Sequence, residues 1–288
     1  IPLLRGGQPL IRSNCMPNFT ILLPPSEGKQ EGGNPFAPDM FDYRTSNTFN
    51  YFHQLNPQRR EVIDQLQAVI KDGSHDLEAL FGVKGDNLQA AVEANLNIYQ
   101  APLISALDRY SPGVMYQAMD FPGLPTGAQR RLLEEGIIFS GLFGLLRPDD
   151  LIPMYKLKMD ANLPGLGKMS SFWKENLSDL LNKTIQGRLV WNFLPGVHAD
   201  AWNNEVTYDA MVSVKFFRKS RKTGEMKAVT HGVKPLRGKL VNFIVKETVE
   251  DLEPFLEWKH PDGYRWDESL SSYDEDSRMH ELVMVKRG

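Results

Sequence analysis

Three chemically capable side chains fall within four positions where a short apolar run ends: Ser26, Glu27 and Lys29 follow Phe19–Leu23 and the Pro24-Pro25 pair. A carboxyl and an amine at the end of a strand are candidates for acid/base work, and Lys29 is also a candidate cation for an anionic substrate. The Gly28-Lys29 ending suggests a phosphate loop. That loop, however, requires glycine at position 23, where Leu23 stands, and Ser or Thr at position 30, where Gln30 stands. Ser26, Glu27 and Lys29 therefore stay candidates for an active site without a nucleotide-loop motif around them.

The segment GVKPLRGKL, residues 232–240, is the second candidate. Pro235 suits the first turn of a helix, and Lys234, Arg237 and Lys239 crowd an end that already presents unpaired N–H groups and the positive pole of the macrodipole. Cations there oppose the dipole, and a bound phosphate would relieve them. Alternatively, Leu236, Leu240, Val241 and Ile244 pack while the charges point to water. This helix belongs to a wider segregation of charge. Residues 214–246 hold ten Lys or Arg against the single acid Glu225, and residues 247–281 hold twelve Asp or Glu against Lys259, Arg265 and Arg278. A stretch so basic can hold a polyanion through phosphate contacts and counterion release, unless the acidic segment folds back and neutralises it.

The glycines of SGLFGLLRPDD, residues 140–150, are spaced for a tight turn after a helix ending near Phe139. A helix–turn–helix hairpin of that kind presents backbone N–H groups to a nucleic-acid phosphate. LPGLGK, residues 163–168, is the other place for it. Arg147, Lys156 and Lys158 add basic character nearby, and Asp149 is a further candidate acid beside Asp150. The six histidines show no metal-ligand spacing and no nucleophile elbow occurs, so no metal and no cofactor are expected. Trp173, Trp191, Trp202 and Phe172 read as core.

The elements that must position these groups alternate. Strands are expected at 19–23, 114–116, 189–194, 212–217, 226–230 and 281–285, the fourth and fifth joined as a hairpin through the RKSRKTGE loop. Helices are expected at 56–71, 76–81, 86–95, 100–108, 126–139, 171–186 and 235–258, with Thr126 as an N-cap. Such alternation predicts an α/β (mixed α+β) fold: one compact domain over residues 16–288, with a central mixed sheet covered by helices, a helix-hairpin-helix-like element and a basic cleft. Residues 1–15 lack the apolar run of a secretory signal and read as a leader before Met16.

The chain has 288 residues, 41% apolar and 24% charged, with a net charge of -3, which argues against disorder and against a field that drives the whole molecule onto nucleic acid. Any anion-binding face must be local. The single cysteine, Cys15, cannot form an internal disulfide, in keeping with a reducing cytoplasm. No stretch approaches the roughly 20 apolar residues of a membrane helix.

In order along the chain, ILLPPSEGK, GLFGLLRPDDLIPMYKLKM, SSFW, LVWNFLP, VKPLRGKLVNFIV and GYRWDES…ELVMVKR resemble the YaaA family of peroxide-stress proteins. The first motif departs from that family's usual Ser-Pro-small-Lys-Thr form, having PPSEGK followed by Gln30. The resemblance falls on Lys29, Arg147, Pro148, Tyr155, Lys234, Arg237 and Gly238. It implies a cytosolic, single-domain α/β protein that binds DNA through a positively charged cleft and a helix-hairpin-helix element, linked to limiting free intracellular iron. The leading expectation is DNA binding without strong sequence preference, by a monomer, through Lys29, Arg147, Lys156, Lys158, Lys234, Arg237, Gly238 and Lys239. The alternative is an enzyme acting on a nucleotide, nucleobase or other phosphorylated substrate in the same cleft, with catalysis from Ser26, Glu27, Lys29 or Asp149. A third is an interaction protein whose acidic 247–281 segment contacts a partner.

Overall fold

The computed structural model describes residues 18–35, 51–220 and 224–286. The proposed leader with Cys15 and Met16, and Arg221 and Lys222 of the basic loop, lie outside the described residues.

Among the described residues nine strands form one sheet: β1 (Phe19–Leu23), β2 (Gly136–Ser140), β3 (Gly144–Leu146), β4 (Leu189–Asn192), β5 (Ala210–Lys219), β6 (Met226–Ala228), β7 (Arg265–Trp266), β8 (Ser272–Asp274) and β9 (Met279–Lys286). Five are parallel and lie in the order β2-β1-β4-β5-β9. β3, β6, β7 and β8 pair antiparallel at the margins. All five residues of β1 are buried, as a strand covered on both faces and flanked on both edges must be, and this is why its sequence is apolar apart from Thr20, whose hydroxyl accepts from Arg188. Each large aliphatic side chain so buried contributes about 1.5–3 kcal/mol.

Helices flank the sheet. The principal ones are α1 (Asn56–Asp72), α2 (Asp86–Leu96), α3 (Val114–Met119), α4 (Thr126–Glu135), α5 (Met169–Thr184) and α6 (Val233–Glu247). In α1 the predicted stripe of Val62, Ile63, Leu66, Val69 and Ile70 is buried, and Gly73 at φ 68° ends the helix in the left-handed conformation. Trp173, Trp191 and Trp202 are core residues, as their surroundings in sequence suggested.

Five expectations are corrected. Val114 to Tyr116 open the helix α3, because Met115, Tyr116 and Met119 share one buried face there. The helix expected over 126–139 has Pro125 at its cap position, with Thr126 as its first residue, and stops at Glu135; Gly136–Ser140 is strand β2, paired in parallel with β1. There the apolar pattern changes from one face to a continuous run, which suits a strand buried on both sides. Residues 100–108 hold a two-residue bridge at Ile104–Ser105 and a single turn, Ala106–Arg109. The long C-terminal helix begins at Val233 and ends at Glu247, where Thr248 takes φ 55°; a separate short helix covers Glu253–Glu257. Finally, both candidate helix–turn–helix hairpins are strand–turn–strand. β2 and β3 enclose residues 141–143, and Asn162–Leu163 pairs with Gly167–Lys168. Gly144, at φ 71°, leaves the first turn with a conformation that a side chain would strain and that brings it against the Trp173 ring.

Candidate functional site

The five parallel strands are laid down in the chain order β1, β2, β4, β5, β9, yet β2 sits on one side of β1 and β4 on the other. Successive connections therefore leave the sheet in opposite directions at β1 and β4, which opens a crevice beyond their carboxyl ends. Residues 24–29 cross that crevice. The segment is anchored at both ends, with Pro24 O accepting from the Tyr116 hydroxyl at 2.7 Å and the Gln30 N–H donating to Arg109 O at 2.8 Å. Arg109 is fully buried and spends its guanidinium on carbonyls: that of Gln30, those of Gly32 and Pro102, each at 3.1 Å, and that of Ile152 at 3.2 Å. This clasp fixes the loop before any ligand arrives.

Lys29 is half-buried, its Nζ 4.5 Å from the centroid of the Tyr155 ring and 5.8 Å from that of Tyr110. The Tyr155 hydroxyl lies 2.6 Å from that of Tyr110 and 2.8 Å from Ser140 Oγ, which in turn accepts from the Phe143 N–H at 3.2 Å. Burial raises the pKa of both tyrosines, so they remain neutral hydroxyls. Burial also pushes the Lys29 ammonium down to about 7, reinforced by the charges of Lys156, Arg109 and Lys158 and opposed by Glu27. Near neutral pH Lys29 thus divides between ammonium and free amine.

Glu27 is exposed and pairs with Lys158 at 3.3 Å. Burial alone would raise its carboxyl, but Lys158, and beyond it Lys156 and Lys234, hold it below its ordinary value. Ser26 lies against Gly113 on the opposite wall. Beside Lys29 opens a cavity of about 490 Å³ between the 27–32 loop and α2, lined by Lys29, Tyr155, Met154, Lys156, Asn87 and Val83 among others. Asn95 of α2 secures this wall, donating to Lys156 O at 2.8 Å and accepting from the Lys156 N–H at 2.9 Å.

Arg237 stands on the same edge. Its Nη1 is 3.4 Å from Phe193 O, just past β4, and the Phe193 N–H donates to Leu22 O of β1 at 3.0 Å. The Arg237 Nε is buried without a hydrogen-bond partner.

The model of the family described as peroxide stress protein YaaA matches residues 19–270. The chain belongs to that family. A general role in peroxide stress comes with membership. An uncharacterised protein of Campylobacter jejuni is 29% identical over 82% of this chain and 88% of its own length. A UPF0246 protein of Streptomyces coelicolor is 30% identical over 63% and 66%, and one of Rickettsia bellii is 23% identical over 80% and 91%. No helix among the described residues is long and apolar enough to cross a membrane.

The single cleft expected from the sequence is divided by the fold. Lys29, Lys156, Lys158, Lys234 and Arg237 gather at the carboxyl edge with Ser26 and Glu27. Arg147 and Asp149 lie at the opposite edge, because β3 runs antiparallel to β2 and delivers them to its start. There Arg147 donates to Glu134 O and to Gly136 O at 3.2 Å, closing the end of α4. Asp149 accepts from the Tyr51 hydroxyl at 3.4 Å, and burial raises its pKa. Lys239 is paired with both carboxylate oxygens of Asp262 at 2.9 Å, and Lys215 with Glu281 at 2.6 Å. To this extent the acidic segment does fold back on the basic one. Gly238 has no room for a side chain, since a Cβ would meet Met115 O and Ala118 of α3. It sets the distance between two helices, and its part in the cleft is to bring α6 close.

Tyr110, Ser140 and Arg109 were not singled out from the sequence. Arg109-Tyr110 sits in an ordinary turn sequence, RYSPG, and Ser140 in a glycine-rich one, so nothing local marks them. Only the topology brings them beneath Lys29.

Proposed function

We propose that the cleft at the carboxyl ends of β1 and β4 binds phosphate groups of nucleic acid, with DNA held without strong sequence preference, and that this binding serves the response to peroxide stress. The supporting observation is an imbalance of charge. Lys29, Lys156, Lys158, Lys234 and Arg237 border the crevice, against Glu27, which Lys158 holds, and Glu31 and Glu93, which also line the cavity beside Lys29. Arg237 gives one guanidinium N–H to Phe193 O at 3.4 Å and keeps other donors on the same group that a phosphate oxygen would meet. Contacts of this kind give affinity and register but carry no base information. Fluorescence anisotropy with a labelled duplex over a range of salt concentrations tests the reading: binding should weaken steeply as salt rises, and salt-independent binding or none would refute it. With it we propose a downstream effect on free intracellular iron, for which the support is family resemblance alone. Cells lacking the protein should show more loosely bound iron after peroxide exposure, and an unchanged iron level would remove that part.

A second reading, an enzyme for a nucleotide or other phosphorylated small substrate, is favoured by the cavity beside Lys29 and by an amine that titrates near 7. Protection against thermal unfolding by a mononucleotide alone would favour it, because a ligand specific for the folded state stabilises by mass action.

A further inference from the structure

Among the described residues the Lys29 Nζ, like those of Lys156 and Lys234, meets no carboxylate and no hydrogen-bond acceptor; what sets it apart is that it rests over the Tyr155 ring at the mouth of the cavity. A structural lysine ends in a salt bridge or in water. Here the neighbouring carboxylate, Glu27, is taken by Lys158. The loop that carries Lys29 is pinned on either side by Tyr116 and Arg109, so the amine is held in place rather than sampling solvent. An amine desolvated beside other cations is the arrangement that activates lysine toward carbonyl carbons.

We propose that Lys29 forms an imine with a phosphate-bearing aldehyde or ketone bound in this cleft. The proposal rests on the phosphate-binding reading above, with Lys156, Lys158, Lys234 and Arg237 holding the phosphate and the cavity receiving the carbonyl end. The free amine of Lys29 attacks the carbonyl carbon, and a C–N bond forms while one amine proton passes to the carbonyl oxygen. The resulting carbinolamine loses that oxygen as water with the second amine proton, leaving C=N. No oxidant, reductant or cofactor is consumed. The supply of free amine follows from the same desolvation and the same cationic neighbours that bring its titration near neutrality.

Two sources offer this chemistry: a free phosphorylated aldehyde, and the ring-opened sugar of an abasic site, whose aldehyde is flanked by phosphodiesters. The experiment treats the full chain with borohydride in the presence of pyridoxal 5′-phosphate, of glyceraldehyde 3-phosphate, or of a duplex containing one abasic site, and maps the reduced adduct by mass spectrometry. We expect a stable adduct on the peptide that contains Lys29, formed at a rate half-maximal near pH 7, slowed by inorganic phosphate and absent from Lys29→Gln and Lys29→Arg, whose melting curves show them folded. Adduct with the small aldehydes assigns a small substrate; adduct with the abasic duplex assigns DNA; both support the imine. Absence of adduct at Lys29 in the wild-type chain, or adducts spread evenly over Lys156, Lys158 and Lys234, overturns it. Intact duplex, measured in parallel by anisotropy, separates the two readings. Salt-sensitive binding without any adduct leaves the phosphate cleft standing and removes the imine, whereas loss of both removes both.

Discussion

The two edges of the parallel sheet carry the same kinds of side chain and use them oppositely. At the amino edge, Arg188 reaches Thr20 Oγ1 at 2.8 Å, Phe19 O and the buried carboxylate of Glu135, while Arg147 closes the end of α4. Asp150, buried and with its pKa raised to about 7 chiefly by desolvation, accepts from the N–H groups of Arg147 at 2.7 Å and Tyr51 at 2.8 Å. At the carboxyl edge the cations face a crevice, and one of them loses its proton near neutrality. Charge satisfied within the chain holds the fold together. Charge left facing a cavity is available to a ligand, and the difference marks the site more clearly than the number of basic residues does.

The comparison breaks most visibly at Arg188. Arg188→Ala should strand the Glu135 carboxylate, whose side chain is only 5% exposed, and destabilise the protein by about 3–5 kcal/mol in thermal or urea unfolding, since removing one partner of a buried pair leaves its charge uncompensated. A loss under 1 kcal/mol would mean that the amino edge is not the structural one. The double variant Lys156→Glu with Lys234→Glu should act the other way: stability within about 0.5 kcal/mol of wild type, but duplex affinity reduced at least about tenfold and the salt slope lowered by about 0.9 for every phosphate that the variant no longer neutralises. An unchanged slope in the anisotropy titration would clear these residues of phosphate binding.

A pH series sharpens the contrast. Lys29 titrates near 7 in the folded protein and near 10.4 when unfolded. Between these values the unfolded chain binds more protons, so this group's contribution to stability rises with pH through that window. Lys29→Gln should therefore exceed wild type in stability most at pH 6, with the gap closing as pH rises past 7 toward 10. Melting temperatures that run parallel at all pH values would show that Lys29 is not desolvated. The smallest effect belongs to Asp262→Asn. Its pair with Lys239 is partly exposed, 37% and 36% for the two side chains, so stability should fall by no more than about 1 kcal/mol, with duplex affinity unchanged because Lys239 lies away from the crevice. A clear change in affinity would return Lys239 to the binding surface.

The hairpin of β5 and β6, the helices α1 and α5 and the buried strands β1 and β4 were legible because each is set by local periodicity. Val114 to Met119 was not, because a short apolar run suits either a strand or a helix, and here packing against α6 made the choice. The reading of 140–144 as a turn between helices failed for the same reason: glycines specify that the chain turns, while pairing of β2 with β1, and of β3 with β2, decided that its arms are strands.

The sequence by itself determined the α/β class, the family, and the candidates Ser26, Glu27, Lys29, Lys156, Lys158, Lys234 and Arg237, because motifs and charge are properties of the chain. Only the tertiary structure decided which of them share a site. Arg147 and Lys156 lie nine positions apart along the chain, yet one is used in holding α4 to the sheet and the other faces the cavity. Strand order and direction carry each segment to one edge or the other, and no local spacing encodes that choice. The state of Lys29 was likewise decided by folding, since its proton affinity depends on the tyrosine rings and cations that distant segments place around it.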